Sequence, residues 1–248
     1  MDRTILKPFS LFSNLDRNAV ILMDDEGRTE IPLLWRNLWN GAPIRACTNN
    51  SAELVCCYAE KNDMKAPTLI CGEISRLQPR IKKCFTDSTY CEYCSVEKNH
   101  LTRCLECVAQ LPQIHEQNMG RKCECIVILG GFSGRLDHVL GDLNAIFSTQ
   151  VHVKIPIYAI DGNNLITVLT HEGGQFEILV DPHKTTKKCG LVPLKHPHVT
   201  SHGLKWDINN EEMHFGGFIS TSNEITSDKV EINTTGPVVF NLELANVC

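Results

Sequence analysis

Short apolar runs alternate with amphipathic stretches through the first part of the chain. Ala19–Met23 (AVILM), Thr68–Cys71 (TLIC) and Cys125–Leu129 (CIVIL) read as strands. Between them, the stretches around Leu33–Trp39, Ser51–Glu60 and Leu101–Gln110 carry helix-compatible patterns. Such alternation predicts an α/β layer with a mostly parallel sheet. After about Val153 the texture changes to short runs, Leu165–Leu169, Phe176–Val180, Met213–Ser220, Lys229–Ile232 and Val238–Leu242, separated by Gly, Asn, Pro and Asp. This half predicts an all-β sandwich or small barrel. The boundary is expected between His152 and Asn164, giving domains of residues 1–155 and 156–248.

The junction after CIVIL concentrates the candidate chemistry. Gly130–Phe147 reads GGFSGRLDHVLGDLNAIF. Gly130, Gly131 and Gly134 permit a sharp turn and close approach to a ligand. Leu136, Val139, Leu140, Leu143, Ile146 and Phe147 then recur on one helical face. A strand, a glycine turn and a helix N-terminus together form an anion site, with free N–H groups and the positive dipole end facing the ligand. The spacing matches neither the Walker loop nor the dinucleotide fingerprint. Read alone, it fits a tight turn capped by Asp137 equally well.

Composition narrows the classes. The 248 residues carry a net charge of −5, so no basic footprint indicates nucleic acid. No apolar run reaches membrane-spanning length, and the start lacks an apolar signal region; the expectation is a soluble cytoplasmic protein. Thirteen cysteines are then more consistent with reduced thiols than with a disulfide framework. Cys91, Cys94, Cys104 and Cys107 form two C-x-x-C pairs that would suit tetrahedral zinc. Packing is the preferred reading, because Cys104 and Cys107 fall beside Leu101, Leu105 and Val108 on a helical stretch and spacing alone does not show that the pairs converge. In the β half, Trp206 and Ser220–Asn223 (STSN) could floor a heteroaromatic pocket, though singly they fit a core tryptophan and a turn better.

Five ordered segments together resemble the eukaryotic thiamine pyrophosphokinases: LWRNLWNGAPIRAC at Leu34–Cys47, GGFSGRLDH at Gly130–His138, CGLVP at Cys189–Pro193, HGLKW at His202–Trp206, and STSN. The resemblance implies a Rossmann-like N-terminal domain, a C-terminal β-sandwich, a homodimer with its site between subunits, and transfer of pyrophosphate from ATP to thiamine. It implies nucleotide binding by Gly130, Gly131, Gly134 and Arg135, and thiamine binding by Trp206, Ser222 and Asn223. Magnesium, a hard cation, takes oxygen ligands; the resemblance assigns it to Glu73, Glu97 and Asp137, with Glu73, His100 and Asp137 as catalytic groups.

The chain departs from the family where acids are expected. Its counterpart of the GDxDS motif is Gly72-Glu73-Ile74-Ser75, and that of QDHTD is Val96–His100, ending in histidine. ADGGAN becomes Thr48–Glu53 (TNNSAE). Losing a metal ligand or transition-state donor typically costs a few kcal/mol, a hundredfold or more in rate. The alternative to an active enzyme is therefore a thiamine-binding homologue without turnover. The kinase reading requires Glu73 and Asp137 to face one cleft.

Overall fold

The computed structural model describes residues 3–23, 28–92, 98–111, 114, 123–170 and 174–245. Strand β1 is Arg3–Leu6. A β/α alternation follows: β2 (Asn18–Leu22), α1 (Leu33–Gly41), β3 (Ile44–Thr48), α2 (Asn49–Ala59), β4 (Leu69–Gly72), α3 (Pro79–Cys84), β5 (Thr89–Glu92), α4 (His100–Ala109), β6 (Cys125–Leu129), α5 (Leu136–Gln150) and β7 (Ile157–Asp161). The remainder is β8 (Asn164–Leu169), β9 (Gly174–Leu179), β10 (Thr185–Pro193), β11 (His198–His202), β12 (Glu211–Glu212), β13 (Ser220–Glu224), β14 (Lys229–Thr234) and β15 (Val238–Leu244).

The expected α/β layer is present. Strands β7-β6-β2-β3-β4-β5 are parallel neighbours. Every residue of β2, β6 and β7 is buried, because helices cover both faces. On one face α1 and α2 contribute Trp35, Leu38, Trp39 and Val55 to the core. On the other, α4 and α5 contribute Leu101, Leu105 and Ile146. Trp35, Leu38 and Trp39 meet the sheet because three- and four-residue spacings share a helix face. The Trp39 indole donates to the Lys65 carbonyl at 2.7 Å, which satisfies its buried N–H.

The main sheet continues past the parallel strands. β7 and β8 form an antiparallel hairpin, and the sheet runs on through β15, β10 and β13 to ten strands. A second sheet has the order β1-β9-β14-β11-β12, so the antiparallel unit comprises two sheets around a shared core. β1 is the first strand of the chain, yet it pairs in parallel with β9, pinned by Arg3 to Glu177 at 2.6 Å.

Three local expectations differ from the structure. Ser220–Asn223 is a strand, not a turn, held by pairing with β10. His214–Gly217 is a turn rather than a strand, with Gly216 at φ 85°, between the bridged Met213 and Phe218. The apolar stripe of α5 is only partly interior. Leu136 and Leu140 are 70% and 53% exposed, whereas Asp142, Ala145, Ile146 and Thr149 are buried.

Candidate functional site

From β2 the chain steps outward to β5, then returns to place β6 on the other side of β2. In open α/β sheets, ligands bind at such a reversal, beyond the carboxyl ends of the strands. The Gly130–Gly134 turn lies there, between β6 and α5. Gly130 N–H donates to the Ile160 carbonyl at 3.0 Å and Phe132 N–H to the Asp161 carboxylate at 2.9 Å. Asp161 is 5% exposed and also accepts from Arg28 at 3.2 Å, and that guanidinium lies 4.3 Å over the Trp35 ring. This buried ion pair fixes the base of the turn. Gly131 adopts φ +89°, and a Cβ there would meet Asp142 Oδ2 at 2.9 Å. Glycine therefore lets the turn pass directly over a buried carboxylate.

Arg135, the residue before α5, makes no side-chain cap hydrogen bond. Its guanidinium forks instead onto Asp137, at 3.2 and 2.7 Å. Those hydrogen bonds hold the Asp137 carboxyl below its ordinary range. Asp137 therefore pairs with Arg135 and also accepts from its own backbone N–H in the first turn. The cleft in front has a volume of about 310 Å³ and is lined by Gly131, Gly134, Arg135, Asp137, Asp142, Asn49, Asn50 and His100, among others.

A second compartment of about 360 Å³ adjoins it, sharing Asn49, Asn50 and His100 and containing Glu73 and Arg76. Glu73 and Asp137 thus open at the same end of the sheet but line neighbouring compartments. Glu73 pairs with Arg76 at 2.5 Å. Asn49 Nδ2 donates to the Glu73 carbonyl at 2.9 Å, while its buried Oδ1 has no hydrogen-bond partner. Glu97 lies outside the described residues. Asp142 had no signal beyond its place on the helix. It is 7% exposed and accepts from Asn99, the N-cap of α4, at 3.0 Å. A wider groove of about 630 Å³ runs between α4 and α5. Glu106 on its wall is tied to Lys98 at 2.6 Å, and the groove lacks the glycine turn.

On the β half, Trp206 is 57% exposed beside a hollow of about 650 Å³ that includes Phe218, Ser220, Thr221 and Asn223. Asn223 is 2% exposed and committed inward. It accepts from Trp206 N–H at 3.3 Å and donates to Trp206 O at 2.9 Å and Ser220 Oγ at 3.1 Å. Its side chain therefore holds the Trp206 loop against β13. Ser222 is exposed at φ 58° and is not part of that lining. The hollow and the phosphate-side cleft share no residue within one chain.

Of the four cysteines considered for zinc, Cys91 and Cys107 are joined in a disulfide, against the expectation of reduced thiols, and Cys94 lies outside the described residues. Cys104 is fully buried, and its thiol, hydrogen-bonded to Cys71 and desolvated, is pushed well above its ordinary pKa. Cys71, absent from the sequence expectation, joins Cys91 and Cys107 with all three Sγ atoms within 4.8 Å of one another.

A parallel sheet with a phosphate-type turn at its reversal, continuous with an antiparallel unit bearing an aromatic hollow, defines a two-part nucleotide and small-molecule scaffold. The profile "Thiamin pyrophosphokinase, catalytic domain" matches residues 35–159, and "Thiamin pyrophosphokinase, vitamin B1 binding domain" matches residues 175–239. Thiamin pyrophosphokinase 1 of Caenorhabditis elegans is 30% identical over 246 residues, covering 97% of this chain and 95% of that protein. Thiamine pyrophosphokinase 1 of rice is 25% identical, covering 92% and 88%. The chain belongs to the thiamin pyrophosphokinase family. Its fold is similar to the solved thiamin pyrophosphokinase of Candida albicans, with TM-score 0.80 at 20% identity over 98% of this chain and 93% of that one. The yeast enzyme gives TM-score 0.80 at 16% identity, covering 99% and 92%.

Proposed function

We propose that the chain transfers the pyrophosphoryl group of ATP to the hydroxyl of thiamine. The thiamine oxygen bonds to the β-phosphorus, the bond from that phosphorus to the oxygen bridging to the α-phosphate breaks, and AMP departs with the bridging oxygen. The observation that carries this reading is the Gly130–Gly134 turn at the sheet reversal, beside two carboxylates and an arginine fork, in a chain alignable over its length with a thiamin pyrophosphokinase.

The first-turn amides of α5 and the Arg135 fork suit phosphate oxygens. His100 lines both compartments and is assigned the hydroxyl proton. Trp206, presented by Asn223, offers a face to the aminopyrimidine and the thiazolium cation. Magnesium fits a site of hard oxygen donors. Asp137 and Asp142, both lining the cleft, would hold it, with Glu73 contributing from the adjoining compartment. When bound, it would neutralise charge developing on the phosphates. Exposed ion pairs are weak, so Arg135–Asp137 can exchange partners, the arginine moving to phosphate and the carboxylate to the ion. The separation of the two hollows within one chain, with Leu136, Leu140 and Trp206 exposed, supports a homodimer that brings one chain's hollow to the other's cleft.

In the test, purified protein is incubated with ATP, magnesium and thiamine, and AMP and thiamine diphosphate are measured together. Equal yields, strongly reduced by Asp137→Ala, are expected. Thiamine binding without either product would overturn the transfer reading, leaving a binding protein without turnover.

A further inference from the structure

Asn99 sits where α4 and α5 meet at the cleft, and both ends of its side-chain amide are in use. As the N-cap residue of α4, it accepts through Oδ1 from the Thr102 N–H at 2.8 Å and from the Thr102 hydroxyl at 2.6 Å. A backbone N–H can only donate, so the carbonyl end must face Thr102 and the NH2 end is forced the other way. There Nδ2 donates to Asp142 Oδ1 at 3.0 Å, joining α4 to α5. Gly141 leaves room for that contact, since a Cβ on residue 141 would lie 3.3 Å from Asn99 Nδ2.

The consequence falls on both flanks of the cleft. Asp142 is buried, and its other oxygen, Oδ2, lies beneath Gly131. Anchoring Oδ1 therefore fixes how the carboxylate stands under the glycine turn. His100 follows Asn99 directly as the first residue of α4, so the cap also sets where His100 begins. One amide thus registers Asp142 on α5 against His100 on α4, and all three residues line the same cleft. Capping alone does not call for an amide, because serine or aspartate caps about equally well. What asparagine adds is the donor to α5.

We propose that Asn99 is a positioning residue for the magnesium–nucleotide complex, acting through the Asp142 carboxylate. Groups that hydrogen-bond a metal-binding side chain from behind hold its orientation, and losing one typically costs about 10–100-fold in metal affinity. Asn99 touches no reacting atom in this role. It keeps Asp142 in place under the turn and α4 in register with α5. The inference rests on the transfer reading for the identity of the cation and its nucleotide, but not on turnover itself.

The test compares Asn99→Ser, which keeps a cap oxygen but is too short to span to Asp142, with Asp142→Asn and with the double variant, all in the full-length chain. Manganese shares magnesium's preference for oxygen donors and is paramagnetic. It is titrated beside a non-hydrolysable ATP analogue, and the free ion is read by electron paramagnetic resonance. Asn99→Ser should weaken manganese binding about tenfold, yet add little on the Asp142→Asn background, because it acts through that carboxylate. In turnover, half-saturating magnesium should rise by the same factor, while the KM for thiamine at saturating magnesium is unchanged. In the wild type, nitrogen NMR should show the Asn99 side-chain amide shifting as magnesium and the analogue are added, a reading that needs no variant to fold. Unchanged manganese affinity in Asn99→Ser, strict additivity in the double variant, or an unmoved wild-type amide each overturns the proposal. Absence of products in the wild type would overturn the transfer reading alone, and the manganese and amide measurements would still decide the role of Asn99.

Discussion

Replacing Gly72 with alanine probes whether Asn49 holds the wall between the two compartments. A Cβ on residue 72 would fall 1.3 Å from Asn49 Oδ1 and 2.4 Å from its Cγ, at a backbone φ of +151°. The amide must therefore swing away. Its Oδ1 has no partner to lose, but the Nδ2 bond to the Glu73 carbonyl at 2.9 Å breaks. That bond is worth about 0.5–1.5 kcal/mol, and a side chain in a sparsely populated backbone region costs about 1–3 kcal/mol. The sum, about 2–4 kcal/mol, lowers the melting temperature of a chain this size by about 5–15 °C. Urea unfolding measures the loss directly, and the apparent affinity for ATP should fall with it, because Asn49 lines both compartments. The double variant Gly72→Ala/Asn49→Gly separates the causes. If the clash is responsible, the second substitution recovers part of the loss, with a coupling of about 0.5–3 kcal/mol. Wild-type unfolding of Gly72→Ala, or strictly additive behaviour of the pair, refutes the reasoning.

Three further outcomes are expected. Asp161→Ala strands the Phe132 N–H and the Arg28 guanidinium; breaking a buried pair costs about 3–5 kcal/mol, discounted to about 2–4 kcal/mol because the Arg28 side chain is 21% exposed. Asp161→Asn, which keeps an acceptor oxygen, should lose less in the same urea titration, and equal losses would contradict this. Asp142→Asn preserves the shape and an acceptor for Asn99 while removing the charge. The magnesium concentration needed for half-maximal turnover should rise about tenfold, whereas an unchanged magnesium titration removes Asp142 from the ion's surroundings. Arg135 depresses the Asp137 carboxyl, so the pair's contribution is present above the unfolded carboxyl value and is lost as pH falls through the lower folded one. In Arg135→Gln the Asp137 titration followed by carbon NMR should rise toward the ordinary carboxyl range, and an unmoved titration would show that another group depresses it.

The sequence was most legible where burial is two-sided. AVILM, TLIC and CIVIL announce strands because a parallel sheet covered on both faces needs continuous apolar runs. β1 carries no such signal: Arg3–Leu6 becomes a strand only through β9, which lies far along the chain. Ser220–Asn223 has turn composition, yet β10 supplies ladder partners that override it. The periodicity of α5 located the helix but not its buried face. Asp142 is interior because the α4 cap reaches it and Gly131 passes over it, contacts made between distant segments. Asp161 escaped notice for a related reason: it ends β7 and matters through Arg28 and Phe132, which other segments deliver.

The altered acids acquire a physical reading from this placement. The resemblance puts the family's carboxylates on the turn after β4 and on the approach to α4. Here those places hold Glu73, tied to Arg76, and His100. The other flank carries Asp137 at the mouth of the cleft and Asp142 within it, both on α5. A hard cation requires oxygen atoms rather than a particular element, and a polyphosphate supplies several of its own. Ground-state binding of the metal–nucleotide pair can therefore survive a one-sided protein donor set. Phosphoryl-type transfer depends more heavily on where the ion sits relative to the attacking and leaving oxygens. Moving the donors to α5 should consequently weigh on turnover more than on the KM for ATP. On the proposed reading, the glycine turn, fixed by Asp161 and independent of the β4 acids, would keep the nucleotide in register.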